Sequence, residues 1–198
     1  MAESLFDKLD QARIKAKIPD NTKRSQDWFR NKMTSLVGGK VKTNDLLRDK
    51  RVKPVTKPML GYMYTFLYDA KTKDTLPYWD RFPLIILVDR APGGFYGLNL
   101  HYLPPILRAR FLDSLSDTIS NNKFDETTRF RARYDLLKGA SKFRYFKPCF
   151  KHYLTSQVTS RIVQIESSEW DMAVFLPTEQ FVGANKRKVW NDSRIGIR

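Results

Sequence analysis

The sequence predicts an α+β fold: a small antiparallel β-sheet, SH3-like in outline, packed against several helices and preceded by a basic helical arm. Three observations predict it. The middle of the chain alternates aromatic with other residues in β-type runs punctuated by Gly-rich turns. The segments on either side place apolar residues at helical spacing between capping residues and prolines. Hydrophobic residues make up 41% of the 198 residues and aromatics 13%, enough to fill a core rather than leave a disordered basic tail.

Residues 1–57 read as a basic helical arm and linker. Ser4 is placed to cap a helix with Leu5, Leu9, Ile14 and Ile18 on one side, ended by Pro19. Thr22 or Ser25 opens a second helix through Trp28, Phe29, Met33, Leu36 and Val37 to Gly38-Gly39. Lys40 to Lys57 has few large apolar residues and ends in Lys53-Pro54 and Lys57-Pro58, so it reads as an extended linker with one helical turn at Asp45 to Arg48.

Residues 58–184 read as the α+β core. Tyr62, Tyr64, Phe66 and Tyr68 alternate with Met63, Thr65 and Leu67 after Gly61. Leu84 to Val88 is an apolar run of buried-strand length, and Phe95 to Leu100 follows after Pro92-Gly93-Gly94, which predicts an antiparallel hairpin. Asp69 to Arg81 reads as a long loop between strands. Pro104-Pro105 opens a helix with Leu107, Phe111, Leu112, Leu115 and Ile119 on one face, closed by Asn121-Asn122. Asp125 caps another, through Phe130, Tyr134 and Leu137 to Gly139, and a further helix is expected from Pro148 to about Gln157. Arg161 to Ile165 is a short strand, and Ser167 or Ser168 caps a last helix near Glu169 to Phe175. Residues 185–198 read as a loose basic tail.

Thirty-six Lys and Arg against 21 Asp and Glu give a formal charge of +15 and a pI of about 9.9. Such a charge repels itself in the compact state, and an anionic partner relieves it. Nucleic acid has the highest charge density of the available partners, and counterion release drives its binding. The excess is uneven. Residues 1–57 hold fifteen cations against seven acids, a net of +8, with Arg13, Lys15, Lys17, Lys23, Arg24, Arg30 and Lys32 as one basic zone. Arg129 to Lys151 holds Arg129, Arg131, Arg133, Lys138, Lys142, Arg144, Lys147 and Lys151 against Asp135 alone, a net of +7. Phe130, Tyr134, Phe143, Tyr145, Phe146, Phe150 and Tyr153 lie among or beside these cations. Cations neutralise phosphates and exposed aromatics stack on unpaired bases. The competing reading makes the aromatics core and the cations their solvated faces, and the face stays positive under either.

Catalytic constellations are thin. His101 and His152 are the only histidines, which excludes a multi-histidine metal site, and each reads as a hydrogen-bonded structural residue. Asp69-Ala70-Lys71 has the form of half a nuclease site, to which Asp80 or Asp89 would add the second carboxylate for Mg²⁺. Short matches of this kind arise by chance, and Asp69 enters a lysine-rich turn. Pro92-Gly93-Gly94 lacks the length and ending of a phosphate-binding loop. Cys149, the only cysteine, excludes an internal disulfide; Lys147, Lys151 and His152 beside it would lower its pKa, but without a catalytic partner it reads as a packed thiol. No cofactor, metal or catalytic residue is expected. The start of the chain has no basic segment followed by an apolar run, and the longest apolar stretch, Phe82 to Val88, is strand length, so the sequence predicts an intracellular or packaged protein with no membrane partner.

Several segments of the β zone and beyond resemble a known family. Gly61-Tyr62-Met63-Tyr64, Tyr68-Asp69-Ala70-Lys71, Asp74-Thr75-Leu76-Pro77-Tyr78-Trp79-Asp80-Arg81-Phe82-Pro83-Leu84 and Gly97-Leu98-Asn99-Leu100-His101-Tyr102-Leu103 are similar to the DNA end protector proteins of T-even-like tailed bacteriophages. Asn121-Asn122-Lys123, Lys147-Pro148-Cys149 and Phe181-Val182-Gly183-Ala184-Asn185-Lys186 extend the resemblance, which runs over about residues 60–195. It implies a protein that binds the ends of the packaged linear genome, travels with it from virion to host cytoplasm and blocks host exonuclease. Double-stranded DNA ends are the implied partner, with other virion proteins and the host exonuclease as further ones. No family site residue is carried over. Bottom-up, the expected contacts are the eight cations of 129–151, Lys23, Arg24 and Arg30 from the arm, and Trp79, whose ring either stacks on a terminal base pair or covers one end of the sheet. The rival reading is a neck, portal or baseplate protein whose basic arms grip neighbouring subunits.

Overall fold

A computed structural model describes residues 5–19, 24, 25, 27–29, 46–49, 52–119, 135 and 147–195. Its centre is an antiparallel sheet of six strands: β1 (Lys53–Val55), β2 (Met63–Thr65), β4 (Leu84–Ala91), β5 (Gly94–Asn99), β6 (Phe150–Leu154) and β7 (Ile162–Ile165). Their order is β1-β7-β2-β4-β5-β6, so the sheet is open, with β1 and β6 as its edges. A second small sheet pairs β3 (Trp79–Asp80) with β8 (Phe181–Val182). The helices are α1 (Leu5–Lys15), α2 (Pro105–Ile119), the short α3 (Trp170–Ala173) and α4 (Lys186–Ile195). The α+β class is therefore as the sequence predicts.

Strand β4 explains the layering. Leu84, Ile86 and Val88 enter the main core, shared with Phe111 and Leu112 of α2, Trp170 and Met172 of α3 and Val189 of α4. Ile85 and Leu87, with the opposite parity, enter a second cluster with Tyr64, Phe66, Phe95 and Tyr153. Phe66 meets Phe95 and Tyr153 edge to face at 5.8 and 5.4 Å. Every strand of the large sheet contributes to this cluster, Val55 and Ile162 from β1 and β7 included, and no helix does among the described residues.

A face buried without a helix over it requires the sheet to curl. The β6–β7 connection, Thr155 to Arg161, must cross four strand spacings, about 19 Å on a flat sheet. Three of its residues are wound into a 3-10 turn, Thr155–Gln157. The crossing is pinned by Thr159 N–H to Leu67 O at 2.8 Å and Asp69 N–H to Gln157 O at 3.0 Å.

The β4–β5 hairpin turns at Pro92-Gly93 as expected, with Gly93 at φ 70°. Helices α1, α2 and α3 also lie where the sequence places them. Three expectations need correction. Pro148 to Gln157 is not a helix: after a 3-10 turn at Lys147–Cys149, Phe150 to Leu154 pairs with β5, Tyr153 opposite Phe95 and Lys151 opposite Gly97. The segment after Asn185 is not loose: Lys188 N–H donates to the Asn185 side chain at 2.9 Å, starting α4, and Val189 is completely buried. Within α1, Ile14 is exposed and Arg13 buries instead beside Leu9. Its guanidinium donates to Asp10 at 2.7 and 2.9 Å and to Ile18 O at 2.7 Å. Lys17, at φ 55°, closes that helix.

The described parts of the N-terminal zone join the main core through Leu9, Phe29, Leu46, Leu47 and Val52. The expected turn near Asp45 to Arg48 is helical at Leu46 and Leu47. Lys53 to Val55, read as linker, adds strand β1 against β7.

Candidate nucleic-acid interface

Under the small sheet lies a closed polar network. Asp80 accepts at Oδ1 from Phe82 N–H (3.1 Å) and Gln180 N–H (3.3 Å), and at Oδ2 from the Asn99 amide (3.0 Å). His101 Nδ1 lies 2.7 Å from the same Oδ2, and its Nε2 lies 3.1 Å from Thr178 Oγ1. Asn99 also donates to the Tyr153 hydroxyl at 3.1 Å. The Asp-His-Thr connectivity is that of a nucleophile triad, yet His101 is 0% exposed and Asp80 3%, and each is hydrogen-bonded within the fold. It holds β3, β5 and the segment before β8 together. Asp80, with four polar neighbours on two oxygens, is committed to this network, and Asp69 is bound by Lys73 at 2.9 Å on the surface. Of the carboxylates that a magnesium nuclease would need, Asp69 and Asp80 are thus engaged elsewhere, and Asp89 accepts from Arg90 N–H at 2.9 Å. Among the described residues no cluster of three or more His, Cys, Asp or Glu could hold a metal.

The floor of the neighbouring region rests on a buried ion pair. Arg108 Nη2 donates to Glu179 Oε1 at 2.6 Å, and its other nitrogens reach Leu103 O (2.7 Å) and Val174 O (3.2 Å). Burial alone would raise the Glu179 carboxyl, but the Arg108 charge, with His101 and hydrogen bonds, holds it down to about 2. Trp190 of α4 covers this pair, its Nε1–H donating to His101 O at 2.8 Å. Arg108 lies 5.9 Å and Lys186 5.7 Å from its ring centroid.

Above the network opens a cleft of about 280 Å³. Tyr78, Trp79, Tyr102 and Tyr153 supply ring surface, and Lys71, Lys151 and His152 supply the basic groups. Tyr78 stands in T-shaped contact with Phe181 at 6.4 Å and tilted against Tyr102 at 6.1 Å. The wall carrying Tyr78 and Trp79 is fixed by β3–β8 pairing and by Gly183, at φ 85°, where a Cβ would meet Pro77 O at 2.8 Å. Lys151 Nζ sits 4.1 Å from the Tyr102 ring centroid. Burial pushes the Lys151 ammonium's pKa down, the Cys149 thiol opposing that only in part. A cation–π contact is worth roughly 1–2 kcal/mol when desolvated, less than the several kcal/mol an ammonium loses on leaving water.

The expected contact residues fall into three groups. Arg129, Arg131, Arg133, Lys138, Lys142, Arg144, Lys23 and Arg30 lie outside the described residues. Arg24 and Lys147 are exposed, Lys147 at the 3-10 turn before β6, and neither lines the cleft. Trp79 and Lys151 are both half-buried and are brought together in the cleft wall. Trp79 packs, partly buried, against the aromatic cluster and also lines the cleft. Cys149 is fully buried, and burial pushes its thiol up to about 12 against the opposing charges of Lys151 and Arg108, as a packed thiol should be. Sequence reasoning did not single out Tyr102 or Lys71 as contact residues. Tyr102 sits in a 3-10 turn whose inward direction no short-range pattern reveals.

No helix of the described residues is long and apolar enough to cross a membrane. No curated protein and no solved structure matches the chain. The family model described as the phage T4 terminal DNA protecting protein matches residues 3–195. A match over almost the whole length, on a strongly basic chain, places it: the chain belongs to the family of phage terminal DNA protecting proteins.

Proposed function

We propose that the chain binds the ends of a linear phage genome through sequence-independent phosphate contacts and shields them from host exonuclease, without chemistry of its own. The observation that carries this reading is the family match over residues 3–195. The charge of +15 supplies the physical drive, because each phosphate neutralised releases condensed counterions whatever the sequence beside it. Arg129, Arg131, Arg133, Lys138, Lys142, Arg144 and Lys147 are the proposed phosphate contacts, with Lys23, Arg24 and Arg30 from the N-terminal zone. Such a protein accompanies the DNA from virion to host cytoplasm, where it meets the exonuclease.

A gel-shift comparison of linear and circular forms of one duplex tests this. Preference for the linear form is the expected result. Equal binding of both forms contradicts end recognition, and binding of neither favours a virion structural protein whose basic surfaces grip acidic neighbours.

A further inference from the structure

The cleft beside β3 is lined by neither Arg24 nor Lys147, the two exposed cations among the described phosphate contacts, and it combines basic groups with aromatic rings. Lys151 is half-buried within it. Among the described residues its ammonium has no carboxylate or hydrogen-bond acceptor, only the Tyr102 ring at 4.1 Å. Lys71, in the wall, likewise has no acid, because Asp69 is taken by Lys73 at 2.9 Å. Among the described residues Asp80 is the single acid lining the cleft, and it is tied to the network behind it. A partly desolvated cation, without an acid among the described residues, lines a cleft with aromatic rings, which is the environment of a phosphorylated aromatic ligand. The cleft, about 280 Å³, is at the small end of ligand pockets. It admits one base with its phosphate and excludes a stacked duplex.

We infer that this cleft receives a single unpaired nucleotide from a DNA terminus, its base against Trp79 and its terminal phosphate on Lys151 and Lys71. The inference rests on the end-binding reading above and names the site that would make an end different from any other stretch of duplex. Phosphate contacts outside the cleft act along the whole DNA. Only a terminus, where the last pair frays, can deliver a free nucleotide into a recess of this size.

The test is a calorimetric titration of the full chain with a short single-stranded oligodeoxynucleotide carrying a terminal phosphate, and with the same strand ending in hydroxyls. The readout is the ratio of the two affinities, which a general loss of charge does not move. The wild-type protein is expected to prefer the phosphorylated strand roughly tenfold, as one charge-assisted contact allows. Lys151→Met keeps the stem over Tyr102 and removes the charge, and should bring the ratio close to one. Lys71→Ala, at an exposed position, should reduce the ratio without risk to folding. A wild-type ratio of one, or a ratio unchanged in both variants, overturns the inference. A free deoxynucleoside monophosphate that competes as well as the oligonucleotide assigns the cleft to a soluble nucleotide and also overturns it. The linear-against-circular comparison separates the two readings. Linear preference with a ratio of one sinks the cleft alone. A ratio of ten abolished by Lys151→Met, without linear preference, keeps the cleft and sinks end binding.

Discussion

Arg108 lies wholly inside the protein and Glu179 almost so, and their pairing has a consequence for acid stability. Glu179 is held at about 2 in the folded protein against 4.5 when free. Its folded value is lower, so the stabilisation is complete above the free value and is lost as pH falls from about 4.5 through 2. Glu179→Gln strands the buried guanidinium and is expected to cost about 3–5 kcal/mol at neutral pH, and less at pH near 2. Urea midpoints of both proteins at the two pH values measure this; an equal cost at both would contradict it. Lys151 shows how far single residues can be read from sequence. Its place in the basic run marks it for an anion, but its position over Tyr102 depends on the pairing of β6 with β5 and on a 3-10 turn, neither of which the local pattern contains.

At the scale of elements, the strands of the central zone and helices α1, α2 and α3 were legible because each carries its own period or cap. Strand β6 was not. Pro148 suits a helix start, and Phe150, Tyr153 and Leu154 fall at helical spacing, so a short run satisfies both periods. What decides is tertiary: Phe150 stacks on Tyr96 at 5.0 Å across the pair and Tyr153 on Phe95 at 5.8 Å. Helix α4 was missed for the opposite reason. Its first turn, Lys186-Arg187-Lys188, opposes the helix dipole and looks like a solvated tail, while Val189, Trp190 and Ser193 face the fold. The element that shapes the cleft wall is the turn after β8. Gly183→Ala forces a side chain into the left-handed region and against Pro77 O, and should destabilise the protein by about 1–3 kcal/mol. Thermal unfolding checks it, and an unchanged midpoint would show that the wall tolerates movement.

At the scale of the whole molecule, charge governs partner and fold governs selectivity. The +15 excess was legible from composition, but which cations are free at the surface was only partly so. Arg13 is spent on Asp10 and Ile18 and Lys151 is recessed, whereas Lys147 is exposed. Replacing Lys142, Arg144 and Lys147 together by Ala should therefore weaken duplex binding and flatten the slope of log affinity against log salt by about 2 to 3. A salt series with the triple variant measures this, and an unaltered slope would remove these residues from the interface. The central claim concerns protection rather than affinity. Its most direct measurement is exonuclease digestion of linear duplex DNA in moderate salt, with and without the protein. The account predicts that the protein stops digestion at the termini at concentrations near one molecule per end. Digestion at the same rate in its presence, or inhibition only once the whole duplex is coated, would contradict it.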